Sequence, residues 1–206
     1  MTEPEILTIG HSTHLIEEFL SLLEAHGVTA IADVRSAPYS RRYPQFNRDP
    51  LRQTLEERGI RYAFCGQELG ARPDDHLCYD EKGRVLYRRL AGTPFFRSGI
   101  DFIVREAREC RIALLCAEKE PLECHRTLLV ARELMARGVA VSHIHADGHL
   151  ETQSEALARL PVLLNMSETD LFRSPEELIE EACASQENRI AYVNPHMSLA
   201  SEENAR

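Results

Sequence analysis

No apolar run in these 206 residues exceeds about six, against the roughly 20 needed to cross a bilayer. The opening Met-Thr-Glu-Pro-Glu is acidic and lacks the basic region and apolar core of a secretory signal, so a cytoplasmic protein without a membrane partner is expected. Cys-x-x-Cys pairs are missing too. The six cysteines, Cys65, Cys78, Cys110, Cys116, Cys124 and Cys183, read as free thiols rather than a disulfide framework. There is no glycine-rich phosphate loop of the Walker or dinucleotide kind, no internal repeat and no low-complexity tract. Lysine is nearly absent: 22 of the 24 basic residues are arginine, a side chain suited to planar bidentate contacts with phosphate or carboxylate.

What is present is one domain's worth of chain, 43% hydrophobic and 28% charged, with a formal net charge of −9. That charge is uneven. Residues 151–206 hold 4 basic and 11 acidic side chains, whereas residues 1–150 hold 20 and 22. Seven arginines fall within 35–61. The acidic balance argues against non-specific binding to duplex DNA, which requires a broad basic footprint.

Periodicity predicts strands at Ile6–Gly10, Thr29–Val34, Ile60–Cys65, Ile112–Cys116 and Val139–Ile144. Helices are predicted at about 14–26, from Pro50 to Gly59, from Pro94 to about Arg111, and continuously from Pro121 to Arg137. Ser12 or Thr13 is expected to cap the first of these, and Leu15, Phe19, Leu22 and Leu23 to face the sheet. The stretch 36–48 is too long for a plain connector, and its aromatics and prolines suggest an ordered functional loop. This alternation predicts an α/β fold: a single three-layer, Rossmann-like domain over 1–150 with a mainly parallel sheet. Residues 151–206 are expected to form an acidic helical extension, with a helix capped by Ser174-Pro175 and a frayed tail from about Asn194.

In such a sheet, ligands bind at the carboxyl edge, and each predicted strand ends in polar residues. His11 and Ser12 follow the first strand, Asp33 and Arg35 the second, Glu68 the third, Cys116 and Glu118 the fourth, and His145 and Asp147 the fifth. Each has a structural alternative. Asp33 and Glu118 could pair with Arg35 and Arg126, Cys124 could be core filler, and His125 could be an ordinary surface residue. A metal held by Cys116, Cys124 and His125 is not expected, because adjacent residues of one helix do not easily meet a single tetrahedral centre. No cofactor is expected either.

The segments Thr8-Ile-Gly-His-Ser-Thr13, Asp33-Val-Arg-Ser-Ala-Pro-Tyr-Ser40, Glu68-Leu-Gly70, and Cys116-Ala-Glu118 with Cys124-His-Arg126 resemble the domain-of-unknown-function 488 family over residues 6–148. Ala71 stands where the third motif usually has a second glycine. The resemblance implies a compact cytoplasmic α/β domain, common in bacteria, without an established activity. Names in use for such proteins, DNA repair among them, suggest a nucleic-acid context.

Three functions are expected to compete. The first is an enzyme of N-glycosidase or transferase type acting on a nucleotide or nucleic-acid end. It would use Asp33 and Glu118 as working carboxylates, and His11 and His125 as proton carriers. Ser12, Arg35, Tyr39, Ser40, Glu68 and Arg126 would contact phosphate or substrate, with Tyr39 or Phe46 stacking on a base. The second is a thiol enzyme, with Cys116 or Cys124 as nucleophile and His125 or His11 as base. The third is a non-catalytic module that binds a nucleotide or phosphate. The sequence sets no oligomeric state.

Overall fold

A computed structural model describes residues 5–166 and 173–198; the remainder of the predicted tail, from Leu199 onward, lies outside the described residues. The chain runs β1 (Glu5–Gly10), α1 (Ile16–Ala25), β2 (Ala30–Asp33), α2 (Arg48–Glu57), β3 (Arg61–Phe64), α3 (Tyr87–Ala91), α4 (Pro94–Glu106) and β4 (Ile112–Cys116). It continues through α5 (Arg132–Met135), β5 (Ala140–Ile144), β6 (Leu150–Thr152), α6 (Gln153–Leu163), α7 (Pro175–Ile190) and α8 (Pro195–Ser198). The sheet order is β3-β2-β4-β1-β5-β6, parallel except for β6, which pairs antiparallel with β5. This is the expected α/β architecture.

Alternation along the central strands divides the core in two. Ile112 and Leu114 of β4 point to the face covered by α4, α6 and α7, while Ala113 and Leu115 point to the face covered by α1 and α2. Both neighbours of β4 are parallel strands, so it is buried on both sides and reads as a continuous apolar run. The connection after β1 leads across β4 to β2, and the connection after β4 leads across β1 to β5. Loops therefore diverge above β1 and β4, opening a crevice at the carboxyl edge.

Several local expectations change. The first helix begins at Ile16, not at a Ser12 or Thr13 cap; Ser12 takes φ 48° in the turn, and Leu15 is exposed instead of facing the sheet. Gly99 lies within α4, where a β-carbon would come within 2.6 Å of Glu68 Cβ, so the bare backbone serves packing. The predicted single helix from Pro121 is broken. A 3-10 turn covers Pro121–Glu123, Cys124 is extended (φ −136°, ψ 143°), and a π-helical turn over Arg126–Ala131 leads into α5. The extension is integrated into the domain. β6 enlarges the sheet, and Ala156, Leu160, Ala182 and Cys183 join the same core as the buried side chains of α4.

Candidate active site

β4 delivers Cys116 at its last position, buried among the sheet's central strands. Beyond it the chain turns so tightly over β1 that a β-carbon on Gly10 would lie 1.8 Å from Glu118 O, so only glycine permits this approach. His11 N and Ser12 N extend the ladder by donating to Cys116 O (3.0 Å) and Ala117 O (2.9 Å). The break between the 3-10 and π turns then returns Cys124 and His125 to the same place.

The result is a compact cluster. Cys124 Sγ lies 3.0 Å from Glu118 Oε2 and 3.8 Å from His125 Nδ1, and Cys116 Sγ lies 3.7 Å from the same Nδ1. His125 Nε2 donates to Val34 O at 3.0 Å, which fixes the ring so that Nδ1 faces the sulfurs. Burial alone would raise the Cys124 thiol. The hydrogen bond with Cys116 and the positive charges of Arg126 and His125 outweigh it and hold Cys124 well below the usual thiol range. Cys116 is pushed up by burial and by its bond to Cys124, so it remains the neutral donor. His125 is raised despite its burial, chiefly by Cys124, and Glu118 is raised by burial and then by Cys124. The two sulfurs are thus set apart, Cys124 as the more acidic thiol and Cys116 as the less acidic one.

Asp33 and Arg126 have other work. The Asp33 carboxylate is fully buried. Its Oδ1 accepts from Arg35 N (3.1 Å) and Nε (2.8 Å), and its Oδ2 accepts from Arg35 Nη2 (2.6 Å) and Tyr62 Oη (2.7 Å). Those four bonds use its whole acceptor capacity. Arg126, also fully buried, donates from Nη1 to Glu118 O (2.7 Å) and from Nη2 to Lys119 O (3.3 Å), so it shapes the loop after β4.

Cys116, Glu118, Cys124 and His125 line a cleft of about 240 Å³ together with Arg35, Arg72, Tyr87 and Tyr192. Arg35 is 6% exposed, and among the described residues its Nη1 has no hydrogen-bond partner, although Nε and Nη2 are taken by Asp33. A shallower depression next to it, sharing Arg35, is lined by His11, Ser12, Tyr39 and Ser40. His11 stacks on Phe46 (4.5 Å between centroids), which leaves that phenyl fully buried and removes it as a stacking platform for a base. Burial, followed by the charge of Arg35, lowers His11 to about 4. Tyr39 is exposed on the rim. The Ser40 hydroxyl is occupied in the loop, accepting from Arg42 N and Tyr43 N. Glu68 lines a different hollow, with Gln67 and Asp74.

Arg72, Tyr87 and Tyr192 were not singled out by the sequence. Arg72 lies over the Tyr192 ring at 4.7 Å, and Val85 N donates to Tyr192 O (2.9 Å), bringing the chain after α7 back to the cleft. Only the strong Ser174-Pro175 helix start hinted at an ordered extension. The sequence-based objection to a shared metal centre also loses its basis, because Cys124 is extended and not in one helix with His125.

A family model described as domain of unknown function DUF488 matches residues 15–132, and the chain belongs to that family. No curated protein and no solved structure matches it.

Proposed function

Taking the chain as a DUF488 member, we propose that it is a cysteine-dependent enzyme acting on a small phosphorylated substrate of nucleotide type. Cys124 is the nucleophile, His125 its ion-pair partner and proton donor, and Arg35 the holder of the anionic group. The observation that carries this is geometric: the Cys124 sulfur is 3.8 Å from His125 Nδ1 and 3.0 Å from Glu118 Oε2, in a cleft that Arg35 also lines. In the reaction the sulfur bonds to the electrophilic centre as the leaving group departs, and the leaving group takes its proton from His125 or Glu118. Water or an acceptor then breaks the bond to sulfur.

A pair of carboxylates is the weaker mechanism. Asp33 spends all four acceptor positions on Arg35 and Tyr62, which suits a residue that positions a guanidinium rather than one that attacks or moves protons. The nucleotide class rests on Arg35 for the phosphate and on the Arg72 guanidinium, layered on the Tyr192 ring, for the base, both of which line the cleft.

The test is labelling of the intact protein with limiting iodoacetamide, read by peptide mass spectrometry. Cys124 should react before Cys65, Cys78, Cys110 and Cys183, and a nucleoside monophosphate should slow its labelling in the parent protein but not in Arg35→Ala. Labelling of Cys124 no faster than the other buried thiols would refute the thiol reading.

A further inference from the structure

We infer that Cys116, Cys124 and His125 form a binding site for a soft divalent cation of the zinc class. The three potential ligand atoms lie within 4.8 Å of one another, and all three residues are placed by the fold. Tetrahedral zinc with Zn–S near 2.3 Å and Zn–N near 2.0–2.1 Å requires nitrogen-to-sulfur edges of about 3.6 Å. The observed edges, His125 Nδ1 to Cys116 Sγ at 3.7 Å and to Cys124 Sγ at 3.8 Å, need adjustments of only a few tenths.

The histidine is oriented as a ligand would be. Its Nε2 is committed to Val34 O at 3.0 Å, which leaves Nδ1 toward the two sulfurs; a backbone carbonyl on the far nitrogen is the usual outer support of a metal-bound imidazole. Its neighbours are anchored as well. Cys116 closes a central strand, and Cys124 Sγ accepts from Arg126 N at 3.4 Å. Two sulfurs and one imidazole select zinc-like ions over magnesium or calcium, which prefer oxygen. All three ligands line the cleft, so the fourth position is left to a water or to a ligand bound there. Binding displaces the protons these groups share, each lost to solvent as the metal enters.

The site shares Cys124 and His125 with the proposed thiol chemistry but does not depend on that reading, since it adds Cys116 and needs only three converging ligand atoms. Its consequence for that chemistry is exclusive occupancy: a sulfur bound to the cation is masked as a nucleophile, so the metal-free and metal-bound proteins differ in reactivity.

The experiment titrates the reduced, chelator-treated full-length protein with Co²⁺ as a spectroscopic probe. One equivalent should produce thiolate-to-cobalt charge transfer in the near ultraviolet with visible bands of tetrahedral cobalt, and Zn²⁺ should abolish both. Cys116→Ser, Cys124→Ser and His125→Ala should each weaken binding by roughly 100-fold or more, since loss of even an outer-shell partner costs 10–100-fold. Cys183→Ser, on the buried face of α7, should leave binding unchanged. As a check independent of substitution, Zn²⁺ should protect Cys116 and Cys124 of the parent protein from iodoacetamide while Cys65 and Cys183 label as before. Absence of charge transfer, or affinity retained in both Cys116→Ser and Cys124→Ser, overturns the site. Rapid labelling of Cys124 in a protein that binds no cation refutes the site and leaves the thiol reading standing. Cobalt binding with an unreactive Cys124 in the metal-free protein does the reverse.

Discussion

Asp33 reads in sequence as a candidate catalytic carboxylate, and in the structure its oxygens are taken up by Arg35 and Tyr62. Its place directly after a central strand is where a working carboxylate belongs, yet every lone pair is used on Arg35 and Tyr62. Asp33→Asn should therefore destabilise the protein by about 3–5 kcal/mol, the cost of leaving a buried guanidinium without its counter-charge. Tyr62→Phe, which removes one bond to a charged acceptor, should cost about 1.5–3 kcal/mol. Urea midpoints measure both, and equal small losses would mean that Arg35 finds another partner. Histidine gives a second test at this scale. His143 is fully buried, with Nε2 donating to Gln153 Oε1 and Nδ1 accepting from Thr8 Oγ1, both at 2.8 Å. Burial, then Arg126, lowers its pKa to about 4, and His11 is lowered similarly. Below pH 6.5 the unfolded chain binds protons that the folded protein refuses, so the stability from each histidine is complete above 6.5. It is lost as pH falls toward 4, by about 3 kcal/mol per residue. His143→Gln should flatten that slope in chemical denaturation across pH 4–7.

Among the elements, the stretch from Cys116 to Met135 carried the least legible information. Helical spacing from Pro121 onward is real, but it hides a 3-10 turn, an extended residue and a π turn. These cannot be separated by periodicity, because each keeps side chains close to helical positions for only a few residues. The break at Cys124 is what joins the two thiols, so the site was visible as a composition and not as a geometry. The strands were legible, since β-branched and apolar runs bounded by Gly27, Gly59 and Gly138 mark them directly. β6 was not, being three residues of which the outer two are exposed. Gly10 offers a test at this scale. Gly10→Ala places a methyl group 1.8 Å from Glu118 O, and so must push the β4 loop away from β1. We expect loss of several kcal/mol of stability or, if the loop yields instead, displacement of Glu118 from Cys124. Thermal melts and Cys124 labelling together distinguish these outcomes.

For the whole molecule, the parallel sheet follows from strand–helix alternation, whereas its order and the return of α7 depend on tertiary packing that no local pattern encodes. The acidic extension stands out in sequence by its charge. In the fold it buries Leu160, Leu178, Ala182 and Cys183, donates from Gln186 Nε2 to Leu122 O (2.9 Å), and accepts from Tyr87 N at Glu187 Oε1 (2.8 Å). A 1–150 fragment should therefore aggregate or melt without cooperativity. Exposing Leu160 and Leu178 alone forfeits about 1.5–3 kcal/mol each, a large share of the roughly 5–15 kcal/mol that holds a domain together. Circular dichroism melts of the fragment against the full chain decide this, and a fragment with an unchanged melting temperature would make the extension an appendage.

That the cleft is completed by Tyr192 also has a consequence in time. Synthesis is vectorial, so the two cysteines and the histidine leave the ribosome while their covering wall has yet to be translated. At roughly 5–20 residues per second, the chain beyond residue 150 takes about 3–11 s to make. During that interval the nascent domain holds Cys116 and Cys124 behind an open flank, so their burial is complete only when the last sixth of the chain has been made.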